Sequence, residues 1–474
     1  MAIANCIIEQ HPNETRMPVG QPVIFAVSNN QIVANETKVK FIANVYISNK
    51  DQPVMSSNDD IVGSFKTTPN NAGVGIFDFS SVIENYLKAD NLARIGSQYK
   101  ETDTGTPTNH PIHLIDKFSG NNNAIRYFAV RFKCEFLGAD ASTPNLVSTP
   151  SGTSVDTDAY KIFNGYLKHT DKLELDGVNF GFDFSPFYLN SSSVKFLTNA
   201  PAIQYANIND YGTFPVFNRG GEWEIEVKCF DSTGSPLLNF DVPRSVANGA
   251  IDYNSEMGFE ILYFGCFPAN LQNWNSSFRA LVAAGTIQGG YITVQAEAIN
   301  VPGFSAGDPL TQLYTINVNC ANTKNYEPIR LCWLNQWGGW DYYTFIQKSS
   351  RMISTKGSTY NQISGTWNES SYRLNGFKGG KKAFRVNATE KITMNTDFVN
   401  ESESEWFEEL INSPEVYMLK GYEDIVETES ALIQYVTPVT LTTSSYTRKT
   451  KANDKLMQYT FEVEKSKTLR TQSI

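Results

Sequence analysis

Histidines are the side chains in this sequence whose spacing comes nearest to that of a metal site. The chain has four histidines, and two of them, His110 and His113, lie three positions apart in a His-Pro-Ile-His run. A stable metal site needs further Cys, His or carboxylate ligands close by, and the neighbouring sequence offers no such cluster. We therefore predict two polar loop histidines, no bound metal ion and no cofactor.

The short motifs that mark common catalytic sites do not occur. The sequence has no GxSxG elbow, no HExxH helix, no phosphate-binding P-loop and no GxGxxG after a strand. Carboxylate pairs of glycosidases carry no such signature, because the two partners lie far apart in sequence. Asp183 and Asp241 lie near aromatic residues, but in β-rich chains such acids more often occupy strand-edge loops. We predict a protein that is not an enzyme, with a glycan depolymerase as an alternative.

An aromatic run, RLCWLNQWGGWDYYTF at residues 330–345, surrounds a Gly-Gly pair. Gly338 and Gly339 allow the positive φ angles of a tight hairpin turn, so the run reads as two short strands. Alternation places Trp333 on one face, with Trp337 continuing that face beyond the strand. Candidate interface or packing residues are Trp333, Trp337, Trp340, Tyr342 and Tyr343.

Both faces of this hairpin are largely apolar, so we predict that it lies in an interior or at an interface. We expect no open pocket for a substrate beside it. The alternative is an exposed platform for sugar rings, in which Asn335, Gln336 and Asp341 would supply hydrogen bonds. Indole rings that lined an open cleft beside converging acids would rule out the structural interpretation.

A local basic cluster, GFKGGKKAFR at residues 376–385, is the second candidate site. Its members are Lys378, Lys381, Lys382 and Arg385. Such a cluster could bind phosphate or lipopolysaccharide. We favour a solvated Gly-rich hairpin tip, or a charged contact to an acidic neighbouring subunit.

Composition limits the partners of the chain. The 474 residues carry a net charge of −10, so phosphate backbones are repelled and nucleic acid is not an expected partner. The six cysteines form no CxxC pair and are expected to be buried thiols of a protein made in a reducing cytoplasm. The sequence shows no secretory signal and no apolar run of about 18 residues, so we expect no membrane insertion.

Short runs with apolar residues at every second position recur along the chain and predict a mainly β protein. Aromatics make up 13% of the residues, which suits pleated strands better than helices. We predict several antiparallel, β-sandwich-like domains in series with a few short helices. The predicted divisions are an N-terminal β domain with one short helix (1–140), a loop or linker (141–158), a middle β domain (159–324) and a C-terminal β domain with one helix (325–474).

Two helices are predicted from capping boxes. Ser81 and Glu84 have the Ser-x-x-Glu spacing that begins a helix at about 81–92, and Ser402 and Glu405 repeat it before WFEELINS. The clearest strand predictions are EWEIEVKCF in the middle segment and MQYTFEVEK near the C-terminus.

The stretch PIRLCWLNQWGGWDYYTF resembles a motif of structural tail proteins of tailed phages that infect Bacteroidetes, the crAss-like phages among them. The positions that fill the motif are Arg330, Leu331, Trp333, Leu334, Asn335, Gly338, Gly339, Asp341 and Tyr342. GIFDFSSVIENYL, FNGYLKH with FLTNAPAIQY, and NDKLMQYTFEVEKSKTLRTQ are similar to the same group, so the resemblance spans most of the chain. It implies a virion component that resembles a distal tail protein, and it implies no catalytic residue.

The leading hypothesis is therefore a non-enzymatic structural protein of a phage tail, baseplate or tail hub. It would be made in the cytoplasm of the bacterial host, assemble into a homo-oligomeric ring and dock other tail proteins. A receptor- or carbohydrate-binding tail protein that attaches to a host surface glycan is the first alternative.

Overall fold

The computed structural model describes residues 5–48, 53, 55, 60–89, 118–120, 123–137, 147–148, 154–171, 173–218, 221–242, 261–319, 326–366, 369–420, 436–443, 445–447 and 457–473. Strands arranged in several separate sheets dominate these ranges, and the helices are short. The prediction of a mainly β chain with a few short helices is confirmed. Within the described ranges, no helix is both long enough and apolar enough to cross a membrane.

The N-terminal part forms two sheets around one core, and its strand β7 pairs with β18 in a small sheet of the middle part. Its strands are β1 Ile7–Gln10, β2 Arg16–Gly20, β3 Ile24–Ser28, β4 Thr37–Ser48, β5 Ile61–Thr67, β6 Val74–Asp78, β7 Phe118–Gly120, β8 Ile125–Leu137, β9 Val147–Ser148, β10 Val155–Asp156 and β11 Tyr160–Tyr166; its helices are α1 Asn30–Asn35 and α2 Ser80–Glu84. The smaller sheet has the order β1-β3-β6. The larger has the order β2-β11-β8-β4-β5, with β9 and β10 paired to β8.

Alternation explains how these two sheets meet. Phe41, Ala43 and Val45 of β4 point into a core shared with Phe25 of β3 and Phe132 of β8. The strand β11 runs parallel to β2 and antiparallel to β8. The N-terminal sheet therefore extends past the boundary predicted at residues 141–158, because its last strand follows that segment.

The middle part has one large sheet and two small ones. Its elements are β12 Leu173–Asp176, β13 Asn179–Phe182, a 3-10 turn at Ser185–Phe187, β14 Ile203–Ala206, β15 Phe214–Phe217, β16 Glu222–Phe230, β17 Pro236–Val242, β18 Ile261–Phe264, α3 Pro268–Trp274, α4 Ser276–Ala283, β19 Tyr291–Asn300 and β20 Tyr314–Val318. The five-stranded sheet has the order β14-β20-β19-β16-β17. On β16 the predicted alternation is present, because Trp223, Ile225 and Val227 are buried and the residues between them are not.

The C-terminal part is one eight-stranded sheet with a helix packed against it. Its elements are β21 Ile329–Leu334, β22 Trp340–Phe345, β23 Ser350–Gln362, β24 Gly380–Asn395, α5 Glu401–Asn412, β25 Val416–Leu419, β26 Val436–Leu441, β27 Thr460–Lys465 and β28 Arg470–Ser473. Seven strands follow the order β22-β21-β25-β26-β27-β24-β23, and β28 pairs with β24. On β27, Phe461 and Val463 are buried as predicted.

Both helices exist, but neither begins with the predicted capping box. The N-cap of α5 is Asn400, whose side chain accepts from the backbone of Glu403 while the Glu403 carboxylate accepts from the backbone of Asn400. The predicted box was two residues too late, because Asn caps a helix as well as Ser does. The N-cap of α2 is Phe79, which makes no side-chain capping bond. That helix is also shorter than predicted.

Candidate functional site

The aromatic hairpin of β21 and β22 has both faces buried and separates two hydrophobic cores. Trp333 and Phe345 face the C-terminal core, which also contains side chains of α5 and β27. Cys332, Trp340 and Tyr342 face a central core, to which the N-terminal and middle parts also contribute. The hairpin thus lies between two cores and contacts residues of all three predicted parts.

Trp337 is not on the predicted face. The strand β21 ends at Leu334, and the side chain of Asn335 then folds the turn by accepting from the backbone N–H groups of Trp337 (3.0 Å) and Gly339 (2.9 Å). This turn directs Trp337 into the central core, where its ring lies 4.8 Å from that of Phe187. The correction follows from the turn, because strand alternation does not continue through a loop.

Trp333 and Trp406 form a close indole pair in the C-terminal core. Their ring centroids are 4.9 Å apart, and both residues are buried. The Trp406 indole N–H donates to Asp341 Oδ2 at 2.6 Å, whereas the Trp333 Nε1 atom is buried without a hydrogen-bond partner. The two rings therefore differ in polar bonding although they occupy the same core.

Tyr342 closes a polar joint with the middle part of the chain. Its hydroxyl is 3.0 Å from Thr213 Oγ1, and its ring stacks near the guanidinium of Arg330, 5.3 Å from the centroid. Arg330 Nε donates to the carbonyl of Tyr211 at 2.6 Å. Because Arg330 is buried, this joint fixes the angle between the hairpin and the middle part.

Tyr343 points the other way, towards α5. Its ring centroid lies 4.8 Å from that of Phe407, and its hydroxyl accepts from the backbone of Asp397 at 3.3 Å. It is half-buried, whereas the other four aromatic candidates are at most 5% exposed. These five residues pack against other segments of the same chain, so a surface for neighbouring subunits has to be sought elsewhere.

A buried carboxylate, Asp341, organises the hairpin. Its Oδ1 atom accepts from Thr198 Oγ1 at 2.6 Å and from Asn335 Nδ2 at 3.0 Å, and its Oδ2 atom accepts from Trp406. Burial raises the pKa of Asp341 to about 6 although these bonds favour the ionised form. Sequence analysis named Asp341 only as a hydrogen-bonding group of the alternative sugar platform. It could not show these contacts, because Thr198 and Trp406 lie far away along the chain.

An open cleft lies beside the hairpin, contrary to the prediction. It has a volume of about 810 Å³ and is lined by Lys168, His169, Thr170, Asp171, Lys195, Asn199, Gln336, Trp337, Ser402, Glu405, Trp406, Glu408 and Glu409. Glu409, one of the lining residues, is buried; its Oε1 atom accepts from Asn199 at 2.5 Å and its Oε2 atom from the backbone of Gln336 at 3.2 Å. Burial, and then the nearby Asp341, raise the pKa of Glu409 to about 7.

The two indoles that line this cleft do not offer stacking surfaces. Trp337 is 4% exposed and Trp406 3% exposed, so little more than ring edges can reach the opening. The Trp337 indole N–H donates to Asn199 Oδ1 at 3.1 Å, and that of Trp406 is bound to Asp341. A sugar platform needs an exposed ring face beside free hydrogen-bonding groups. The cleft is therefore a polar opening in which carboxylates and amides are the accessible groups.

The basic cluster lies on a projecting hairpin, which we name the β-arm and define as residues 350–385. The first twelve residues of β23 are all exposed, so both faces of this strand meet solvent. β23 pairs with β24 over thirteen residue pairs, from Ser350 with Thr393 to Gln362 with Gly380. At about 3.3 Å per residue, the ribbon is roughly 40 Å long. Lys378, Lys381 and Lys382 are exposed at its distal end, and Arg385 is exposed nearer the base, opposite Ser358.

Large apolar side chains are exposed on the same β-arm. Eight of them are at least 37% exposed: Met352, Ile353, Tyr360, Ile363, Tyr372, Leu374, Phe377 and Phe384. In the part of the chain that the structure describes, the outer edge of β23 pairs with no other strand. β24 also pairs with β27 and β28, so the ribbon is two-stranded only beyond the pair of Ser358 and Arg385. A two-stranded segment with exposed apolar residues and an open edge is marginal in water.

The other predicted site residues do not assemble into a catalytic centre. Asp183 caps the 3-10 turn by accepting from the backbone of Ser185 at 3.0 Å, whereas Asp241 lies on β17 opposite Glu226. Asp183 thus lies in a turn that follows β13, whereas Asp241 lies on a strand of the five-stranded sheet. His110 and His113 lie outside the described residues. Among the residues that are described, no group of three or more His, Cys, Asp or Glu side chains could hold a metal ion.

Comparisons with known proteins place the chain in no family. No protein-family model matches it, and no curated protein matches it. Two solved structures similar to it are an α2-macroglobulin from Salmonella (6% identity, TM-score 0.17, 99% of this chain and 37% of that one) and the native conformation of E. coli α2-macroglobulin (8%, 0.13, 97% and 40%). The chain thus spans about two fifths of their length. TM-scores this low carry no argument about fold or function.

Proposed function

We propose that the protein is a non-enzymatic structural component of a phage tail, baseplate or tail hub, which assembles with copies of itself into a ring and docks other tail proteins. The observation that carries this proposal is the β-arm. A ribbon of roughly 40 Å with eight exposed apolar side chains is unfavourable in a protein that acts alone, because that surface stays in contact with water.

The interior supports the same function. The hairpin of β21 and β22, the Arg330 joint and the Asp341 network bind the three parts of the chain into one body. Strong internal joints suit a building block that transmits force between neighbours. The resemblance of the hairpin sequence to structural tail proteins of phages supplies the biological setting, which is the virion tail after synthesis in the cytoplasm of the host.

Imaging and mass analysis test this proposal. Mass photometry of the purified chain should show a species several times the mass of one chain, and labelled protein should be found in the tails of purified virions. A capsid protein and a non-virion protein of the same phage serve as controls for the particle preparation. Absence of the chain from particles would overturn the proposal.

A second candidate function, carbohydrate binding for host attachment, is favoured by the cleft. Its volume of about 810 Å³ and its lining of carboxylates, amides and two indole edges suit one or two sugar rings. A glycan array probed with the wild type and with Glu408→Gln, which changes a half-buried lining residue, tests binding without disturbing the core. Trp337→Ala is a second test, provided that circular dichroism shows it to be folded.

A depolymerase would use the same cleft. Release of reducing sugar from host capsule, lost on Glu408→Gln or Glu409→Gln, would move the assignment to an enzyme. No release by the wild type would favour the structural function.

A further inference from the structure

The charge of the β-arm opposes that of the rest of the chain. Residues 350–385 contain seven basic residues and one acidic residue, a net charge of +6. The whole chain carries −10, so the remainder carries −16. Only Arg351, at the base of the β-arm, is held by two carboxylates, those of Glu327 and Glu390. Most of the positive charge is therefore carried into solvent together with the apolar side chains.

A surface of opposite character lies on the five-stranded middle sheet. The outward side chains of β16, β17 and β19 include five carboxylates, which we name the acidic face: Glu222, Glu224, Glu226, Asp241 and Glu297. Glu224 lies directly opposite Glu297, and Glu226 directly opposite Asp241, so carboxyl groups are adjacent. Burial, and then a hydrogen bond with Glu226, raise the pKa of Glu297 to about 7, so this group is partly protonated near neutral pH. One cation, Lys228, lies among them and contacts Glu226 at 2.5 Å.

The acidic face continues into an apolar strip on the same side of the sheet. Tyr205 of β14 pairs with Asn317, Asn317 with Tyr291, and Tyr291 with Phe230, so all four side chains share this side. Tyr205 is 56% exposed, and the rings of Phe230 and Tyr291 stack at 4.7 Å. Like the β-arm, this surface thus combines charge with aromatic groups, of which Tyr205 is exposed and Phe230 and Tyr291 are half-buried, but its charge is negative.

We infer that the β-arm of one protomer docks on the acidic face of a second copy of this chain. The lysines of the β-arm would lie among the carboxylates, and the apolar side chains of the β-arm would lie on the apolar strip. This inference rests on the proposed assembly function and names the contact that builds it. Charge complementarity indicates which partner binds there. Nearby cations stabilise adjacent carboxylates, and the β-arm of the same chain carries such cations.

The contact is head-to-tail, because the β-arm and the acidic face are different surfaces. Each copy then has one of each to offer, and the rotation between copies decides between a closed ring and an open filament. An arm-to-arm contact would instead be symmetric and would stop at a dimer. The two arrangements make different predictions for variants of the acidic face.

Charge reversal with mutual rescue tests the inference. The arm variant is Lys378→Glu/Lys381→Glu/Lys382→Glu, and the face variant is Glu224→Lys/Glu297→Lys. Each variant alone should associate at least about tenfold more weakly than wild type in analytical ultracentrifugation. A one-to-one mixture should regain association, since acidic arms then meet basic faces and the unaltered arms meet unaltered faces. Circular dichroism and melting curves establish that both variants are folded.

A matched control reverses three exposed lysines elsewhere. Lys38→Glu/Lys40→Glu/Lys88→Glu changes the net charge as much as the arm variant does, but leaves both surfaces intact and should associate normally. A carbodiimide, which links amines to carboxylates directly, should join Lys381 or Lys382 to Glu224, Glu226 or Glu297. Mixed light and heavy isotope labels would show that these links connect different copies.

The outcomes separate the inference from the proposed function. Rings that persist in both variants, with cross-links elsewhere, would leave assembly standing and overturn this contact. Loss in the arm variant alone would indicate an arm-to-arm contact and would also overturn it, as would a wild type that stays monomeric at every concentration. Absence of the chain from virions would instead count against the proposed function.

Discussion

The indole pair of Trp333 and Trp406 shows how one hydrogen bond distinguishes two buried residues of the same type. Their ring centroids lie 4.9 Å apart, yet Trp406 donates to a buried carboxylate and Trp333 has a buried donor without a partner. A hydrogen bond to a charged group is worth about 1.5–3 kcal/mol, and an unpartnered buried donor costs about 1–3 kcal/mol. The two indoles are thus packed in the same core, but the N–H group of Trp406 stabilises the fold and that of Trp333 destabilises it.

We expect Trp406→Phe to lower the free energy of unfolding by about 2 kcal/mol more than Trp333→Phe does. Both substitutions shorten the ring system by a similar volume, so the difference isolates the bond to Asp341. Urea denaturation followed by circular dichroism measures both values. An equal decrease in the free energy of unfolding would mean that the hydrogen bond between Trp406 and Asp341 contributes little to stability.

The raised pKa of Glu409 makes stability depend on pH. Its pKa is about 7 in the folded chain, against an ordinary value of 4.5, so the folded state binds the proton more tightly than the unfolded state. The contribution of Glu409 is therefore greatest at low pH and is lost as pH rises from about 4.5 to about 7. At 1.36 kcal/mol per pH unit, the full loss is roughly 3 kcal/mol.

Between pH 5 and pH 8 we expect the free energy of unfolding of the wild type to fall, and we expect the fall to be smaller in Glu409→Gln. Glutamine fills the same space but cannot ionise, so the contribution of Glu409 to the pH dependence of stability disappears in this variant. Asp341, whose pKa is raised to about 6, keeps part of the slope in both proteins. Parallel curves for the two proteins would contradict this expectation.

At the scale of elements, the hairpin turn is held by a close approach of two backbones. Gly338 has φ of 77°, and a Cβ atom there would lie 2.3 Å from the carbonyl oxygen of Asn164 at the end of the N-terminal sheet. Glycine is therefore required twice, once by its conformation and once by the neighbouring strand β11.

Gly338→Ala should cost several kcal/mol, because strain of about 1–2 kcal/mol adds to a displacement of the turn from β11. Gly285→Ala is the matched control: its φ is 69°, but nothing lies within 4 Å of the added Cβ atom. That variant should lose only the conformational part. Thermal melts compare the two variants. Equal shifts in melting temperature would show that the backbone near Asn164 moves away from the added Cβ atom at little cost in free energy.

Alternation in the sequence was sufficient for elements whose two faces differ. The strands containing Trp223 and Phe461 were predicted with their buried faces, because a period of two is unambiguous when one side is polar. The hairpin of β21 and β22 was identified for the opposite reason, since apolar residues on both sides indicate a buried ribbon. Its turn at Gly338 was also predicted, but the direction of Trp337 was not, because the hydrogen bonds of Asn335 carry no periodic signal.

The candidate site was less predictable, because its residues meet only after folding. Thr198, Asn335 and Trp406 converge on Asp341 from three segments, and Glu409 lines a cleft with residues near position 170. Asn335 and Asp341 lie in the same short run, but nothing in the local sequence relates that run to Thr198, Trp406 or the residues near position 170. The β-arm was foreseen only at its tip, through the glycines and lysines, because an exposed ribbon has neither an apolar face nor a regular period.

At the scale of the whole molecule, a tightly joined body contrasts with a free ribbon. The central core takes side chains from all three parts of the chain, while β23 contributes no residue to any core. Stability and assembly are therefore carried by different residues. A change confined to the ribbon should alter one property without the other.

Replacing residues 359–384 by Asn-Gly tests that separation. The new two-residue turn would join Ser358 to Arg385, which are paired in the intact ribbon, and would leave the pairing of β28 with β24 in place. We expect the far-ultraviolet spectrum and the free energy of unfolding to stay close to wild type, since the removed segment adds nothing to the cores. Association of copies, measured by analytical ultracentrifugation, should be lost. Unfolding of this variant would show that the ribbon stabilises the body, and unchanged association would show that copies join through another surface.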